Sequence, residues 1–179
     1  MSKNCCSENE QKNSQNCPIN QQKGKPVKII TLESLLKSEA LLKVNYQENY
    51  FFCEAQNCPV VYFNQERQIL TISEVKIPIF EKDMREEVPV CYCFNWTRNR
   101  IYQEIKETNK STAEYFILEQ VKAKNCACEI NNPRGTCCLN NVRKIVKNYQ
   151  ENLNLIQNRI ILSKSKLDML LFLCYFDEL

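Results

Sequence analysis

Residues 89–97 read PVCYCFNWT, and the patterning of the chain changes character across them. Upstream, Tyr50-Phe51-Phe52 and Val60-Val61-Tyr62-Phe63 are short apolar runs that bracket Cys53 and Cys58. A polar turn over 64–68 and a further β-like stretch, Ile69 to Ile79, follow them. Downstream the apolar residues recur at helical spacing. Thr97 can cap a helix carrying Ile101 and Ile105, and Ser111 or Thr112 can cap another carrying Tyr115, Phe116, Leu118 and Val121. A loop over 125–136 holds Pro133 and Gly135. A third helix starts near Cys138 with Leu139, Val142, Ile145 and Val146. The expected fold class is α+β, with a zinc-bearing β-rich half over 17–80 and a helical half over 89–147.

The remaining segments are plainer. Residues 1–16 open an Asn/Gln/Lys/Ser-rich stretch and read as a flexible arm. Thr31 can cap a short amphipathic helix through Leu32, Leu35, Leu36 and Leu41. Residues 81–88 are charged, end at Val88-Pro89, and read as a linker. Residues 148–179 form a helical or irregular tail, in which Cys174 sits in an apolar run and is expected to be buried or in contact with a partner.

Composition excludes several kinds of chemistry. The 179-residue chain has 12 cysteines and no histidine, so Ser-His-Asp and Cys-His nucleophile pairs are excluded, with imidazole-held zinc and haem. Gly24 and Gly135 are the only glycines, which leaves no glycine-rich phosphate loop. A formal charge of +3, with both signs interleaved, gives no nucleic-acid footprint. No acid–base pair or substrate motif marks an enzyme. The opening MSKNCCSENEQKNSQ has no apolar leader, and the one dense apolar run, Met169 to Phe176, is too short to span a bilayer. The expectation is a cytoplasmic protein with no membrane insertion. In a reducing compartment, clustered cysteines point to metal or redox chemistry rather than to disulfides.

Spacing sorts the cysteines. Cys53 and Cys58 are a C-x4-C pair between two strand signals, half of a four-coordinate zinc site; the plain alternative is two strand cysteines packing as small hydrophobes. Cys17-Pro18 begins like a CPxC knuckle and offers a third thiolate, although Asn20 stands where the second cysteine would be. Cys5, Cys6, water or a side-chain oxygen would fill the fourth place. The pairs Cys91/Cys93, Cys126/Cys128 and Cys137/Cys138 supply six candidates for the four thiolates of a [2Fe-2S] cluster. Helix starts follow Thr97 and Cys138, and their free amides favour an anionic cluster. Adjacent Cys137 and Cys138 point to one ligand between them.

The segments FFCEAQNCPVVYF (51–63), PVCYCFNWT (89–97) and CACEINNPRGTCCLNNV (126–142) resemble the N-terminal domain of the copper chaperone CopZ family. That domain is similar to the bacterioferritin-associated ferredoxin fold and carries a [2Fe-2S] cluster beside a mononuclear zinc. The resemblance spans roughly Cys17 to Lys147. It implies cluster ligands Cys91, Cys93, Cys128 and Cys138, with Cys126 and Cys137 as substitutes, and zinc held by Cys17, Cys53 and Cys58. Departures are the lack of an MxCxxC copper loop, Asn20, and Asn95 where the family has glycine. Asparagine tolerates that position because it enters the left-handed region most readily after glycine.

The function so implied is a one-electron carrier in copper or heavy-metal handling, keeping copper as Cu(I), with copper itself a further candidate ion. Its partners would be a copper-transporting ATPase system or a redox protein. Alternatives are a ferredoxin-like partner that mobilises iron from an iron-storage protein, and a structural metal module. Trp96, Arg98 and Arg100 offer a docking face, or, as these residue types favour, packed core and solvated arginines.

Overall fold

A computed structural model describes residues 15–176, with side chains as far as Ile160. The architecture is α+β. An antiparallel meander of four strands comes first, in the order β1 (Lys25–Val27), β2 (Tyr50–Phe52), β3 (Val60–Asn64) and β4 (Ile69–Thr71). Two short helices, α1 (Ile29–Leu35) and α2 (Ser38–Leu41), connect β1 to β2.

β3 is buried along its whole length because both faces of the sheet are covered. Its pairing register shifts between Val60 and Tyr62, so the strand feeds two cores. Val61 and Tyr62 pack with Leu32, Leu35, Leu36, Phe52 and Leu70 beneath the helices. Val60 and Phe63 pack with Phe51 and the thiols Cys17, Cys53 and Cys58 on the other side. Phe51 lies opposite Phe63 with the rings stacked at 5.6 Å. Gly24 lies against this pair: a Cβ there would come within 2.7 Å of Phe51 Cβ and 2.6 Å of the Phe63 ring, so a side chain would force the strands apart.

Three local expectations are corrected here. The β-like stretch from Ile69 ends at Thr71 rather than Ile79, because the Glu74 carboxylate folds back onto the Thr71 N–H at 2.7 Å and closes a 3-10 turn over Ile72–Glu74. Helix α1 starts after Lys28, so Thr31 lies inside it instead of capping it. Its hydroxyl donates to the Glu129 carbonyl at 2.6 Å. The helix also breaks at extended Leu36, which places Leu41 on the separate α2.

The second half opens with a two-stranded ribbon, β5 (Pro89–Cys91) and β6 (Trp96–Thr97), whose connection passes through Asn95 at φ +50°. Asparagine therefore adopts the left-handed conformation expected of it. Helices α3 (Arg98–Thr108), α4 (Ala113–Lys122), α5 (Cys128–Asn131) and α6 (Leu139–Phe176) follow. Thr97 caps α3 by accepting from the Arg100 N–H at 3.1 Å. At the start of α4 the hydroxyls of Ser111 and Thr112 are both held by the Glu104 carboxylate of α3, which makes one unit of the two helix ends. The face that α4 buries is Ala113 and Ile117; Tyr115, expected among its apolar residues, is 70% exposed. These two join Val90, Trp96, Ile101, Ile105, Val142 and Val146 in the helical core.

Trp96 is core, as its type suggested, but Arg98 is not solvated. It is 4% exposed, lies over the Phe80 ring at 4.2 Å, and donates to the carbonyls of Phe80, Asp83 and Arg85. The turns of the charged stretch 81–88 are thereby fastened to α3. Arg100 is exposed and stacks on Trp96 at 3.7 Å. The backbone of α6 extends through the tail to Phe176. Among the described residues no helix is long and apolar enough to cross a membrane. Cys5, Cys6 and the side chain of Cys174 lie outside the described residues.

Candidate metal centres

Cys17, Cys53 and Cys58 converge from three places. Cys17 sits at the head of a tight loop in which its N–H donates to the Gln22 carbonyl at 2.8 Å and its carbonyl accepts from the Gln21 N–H at 2.9 Å. Cys53 leaves the end of β2, and Cys58 stands just before β3, so the strand pair delivers both ends of the C-x4-C loop to one point. The three sulfurs lie within 4.8 Å of one another, all buried. Cys17 and Cys58 are 3.8 Å apart. A metal–sulfur bond of about 2.3 Å at tetrahedral angles demands a sulfur–sulfur edge of about 3.8 Å. The three thiols therefore fit one face of a tetrahedral ion.

Two further neighbours belong to this centre, Asn20 and Lys82. The Asn20 amide donates to Cys53 Sγ at 3.2 Å. Lys82 donates to the carbonyls of Ala55 and Cys58 at 2.8 and 3.0 Å, which brings a positive charge beside the thiols. Burial pushes the Cys17 thiol up to about 11. Burial acts on Cys53 in the same sense, but hydrogen bonds from the Ala55 backbone and Asn20, with the Lys82 charge, hold it below its ordinary value. The CPxC spacing pointed to Asn20; nothing in the charged 81–88 stretch singled out Lys82.

A second group of thiols gathers where the ribbon, α5 and α6 meet. Cys93 and Cys128 lie 3.8 Å apart, the same tetrahedral edge. Cys91 and Cys138 are buried together in the helical core. The hydrogen bond from Cys128, with others from Asn131 and the Ala127 backbone, pulls Cys93 down to about 6, and the neighbouring Cys138 thiol lowers Cys91. Cys128 and Cys138 are pushed up by the neighbouring Cys93 and Cys91 thiols and by burial. Of the six candidates, Cys91 and Cys138 are buried and Cys93 and Cys128 half-buried. Cys126 is half-buried and Cys137 exposed.

Residues 14–76 match the CopZ zinc binding domain family, a span that encloses all three thiols of the first centre. The copper chaperone CopZ of Archaeoglobus fulgidus is 30% identical over 122 residues, 68% of this chain and 57% of that protein. The crystal structure of the N-terminal domain of the A. fulgidus CopZ superimposes with a TM-score of 0.61 at 27% identity, covering 73% of this chain and 96% of the domain.

The chain carries a CopZ N-terminal-like domain.

It spans 57% of the length of the full chaperone it matches, and nearly all of that chaperone's N-terminal domain. Within the CopZ-like domain, the three cysteines lie in the stretch that matches a zinc binding domain and are placed so that they could hold a metal ion.

Proposed function

We propose that the CopZ-like domain holds zinc at Cys17, Cys53 and Cys58 and a [2Fe-2S] cluster at Cys91, Cys93, Cys128 and Cys138, and that it serves as a one-electron carrier in copper handling. The observation that carries this reading is the gathering of thiols from the ribbon, α5 and the start of α6, with Cys93 and Cys128 set 3.8 Å apart at one tetrahedral edge and Cys91 and Cys138 buried in the same core. A binuclear cluster takes two thiolates per iron. The donor set fits. A single ion would draw all four sulfurs to mutual distances near one tetrahedral edge, and among the described residues the only cluster of three or more such ligands is the Cys17 group.

An all-thiolate [2Fe-2S] centre supplies one-electron exchange between two charge states. The protein's own part is to hold and polarise the sulfurs. Asn131 donates to Cys93 Sγ at 3.7 Å, and the amide end of α6 begins one residue after Cys138. Both put positive character where charge accumulates. Copper as destination is supported by the relative's name, and thiolates favour copper in its Cu(I) form.

Anaerobic purification of the full chain with iron, sulfide and zinc analysis tests this directly. The expected protein is coloured and contains two irons and one zinc. Serine at Cys91, Cys93, Cys128 or Cys138 should bleach it or shift the paramagnetic signal of the reduced form, and serine at Cys126 or Cys137 should do neither. A folded chain that stays colourless after anaerobic reconstitution would sink the reading.

A further inference from the structure

The row of α6 side chains that packs on the helical core continues past the point where that core stops. Among the described residues, Val146, Tyr149 and Leu153 are the last that α6 gives to it, with Tyr149 set against Tyr102 of α3 at 5.4 Å. Helix α3 is closed by Asn109 in the left-handed conformation at φ +59°, and Ile105 and Asn109 line a 150 Å³ hollow with Leu153 and Asn154. From Leu153 the backbone of α6 runs on to Phe176, about 35 Å of further helix. Its sequence keeps the same alternation of three- and four-residue steps. Ile156, Ile160, Leu167, Leu170 and Cys174 carry the row onward, with Ser163 its one polar member. Ile156, the first position past the core, is 53% exposed. An apolar repeat averaging 3.5 residues, held for several turns, is the pattern that a second helix can follow.

Charge selects which helix that is. Residues 154–166 carry Arg159, Lys164 and Lys166 and no acidic side chain, whereas 167–179 carry Asp168, Asp177 and Glu178 and no basic one. Such a segment is complementary to its own reverse. We propose that two copies of the chain pair through an antiparallel coiled coil of their α6 extensions, with Leu167 of each copy opposite Leu170 of the other. In that register Ser163 stands level with Cys174 of the second copy, and each basic half runs along an acidic half. A parallel pair would bring Arg159 of one helix to Lys164 of the other at the flanking positions, where like charges repel. Because the same patch serves both copies, the contact closes at two. The two CopZ-like domains are thereby held about 45 Å apart at opposite ends of the coil. The pairing is independent of which ions they carry.

Sedimentation equilibrium of the full chain, loaded with iron and zinc under anaerobic conditions, tests this. The expected particle has twice the 21.1 kDa of one chain. Leu167→Lys and Leu170→Lys should each weaken association by roughly 100-fold, since every such change removes a buried leucine from both copies. Iron, zinc and far-ultraviolet circular dichroism should stay as in the wild type, because both positions lie beyond the domain core. Lys164→Glu/Lys166→Glu should weaken an antiparallel coil but strengthen a parallel one, where it meets Arg159. Ser163→Cys, in a Cys5→Ser/Cys6→Ser background with oxidised glutathione, should cross-link to Cys174 of the other copy, as read by peptide mass mapping. A chain that stays monomeric at its highest soluble concentration overturns the proposal, as does an assembly larger than two. So does a dimer that both leucine variants leave intact, or one whose cross-link joins Cys174 to Cys174. A colourless chain that still pairs in this way keeps the coil and removes only the cluster reading.

Discussion

The phenol of Tyr62, on the central strand β3, donates a 2.9 Å hydrogen bond to the carbonyl of Pro133, in the loop between Cys128 and Cys138. Tyr62 is fully buried, so neither partner has water to turn to. Two more links run beside it: Thr31 to the Glu129 carbonyl at 2.6 Å, and Arg134 to Glu54 at 2.7 Å. The sheet that frames one group of thiols thus holds the loop that delivers half of the other.

Tyr62→Phe should therefore act at a distance. It leaves a buried carbonyl unsatisfied, a cost of about 1–3 kcal/mol read by denaturant unfolding. The loop bearing Cys128 and Cys138 should loosen, so that bound iron is lost faster to a chelator while zinc stays. Equal rates of iron loss in variant and wild type would mean that the loop is held without this bond.

Cys53→Ser removes one corner of the three-thiol centre and the partner of Asn20. Bound zinc should weaken at least tenfold, given that even outer-shell changes cost 10- to 100-fold. The sheet half should loosen, because these thiols are part of the Phe51–Phe63 core, while the colour of the second centre persists. Unchanged zinc content by elemental analysis would make the pair ordinary strand cysteines.

The thiols were the most legible part of the chain, because metal chemistry constrains spacing and residue type together. Cys17, Cys53 and Cys58 are grouped in space and Cys93 stands beside Cys128, whereas for the second group spacing left six candidates and the family resemblance named four of them. The strands at Tyr50 and Val60, the cap at Thr97 and the left-handed turn at Asn95 were also readable, since each depends on neighbours in sequence. What was not legible depends on distant partners. Arg98 looks like a surface charge until the carbonyls of Phe80, Asp83 and Arg85 are brought around it. Thr31 has the chemistry of a cap, but the Glu129 carbonyl, 98 residues away, takes its hydroxyl. Helix α4 has apolar residues on more than one face, and packing chose Ala113 and Ile117.

Glu81 gives a pH dependence with a defined sign. Burial pushes its carboxyl above the ordinary 4.5, although Arg134 at 3.8 Å and Asn141 at 3.1 Å both favour the charged form. The folded state thus prefers the protonated acid, so this contribution to stability is complete below the ordinary value and is lost as pH rises through the raised one. Glu81→Gln, uncharged throughout, should flatten that part of the profile. Its stability relative to wild type should improve from pH 4 to pH 7 in denaturant titrations. A difference that is constant with pH would show that Glu81 ionises without penalty.

Asn20 decides how complete the first centre is. Its Oδ1 accepts from the Gln22 N–H at 2.9 Å, which fixes the amide so that Nδ2, not oxygen, faces Cys53 Sγ. In this orientation it steadies a thiolate and does not itself ligate. Asn20→Leu should then lower zinc affinity by about 10- to 100-fold, as loss of an outer-shell donor does. Asn20→Cys should raise it instead, because a thiolate at this position completes the CPxC pair with Cys17 and supplies four sulfurs to a tetrahedral ion. Cobalt substitution reads the change in the visible spectrum, where a fourth thiolate strengthens the charge-transfer bands. If Asn20→Cys left both affinity and cobalt spectrum as in the wild type, the fourth place would already belong to another sulfur, and Cys5→Ser and Cys6→Ser would identify it.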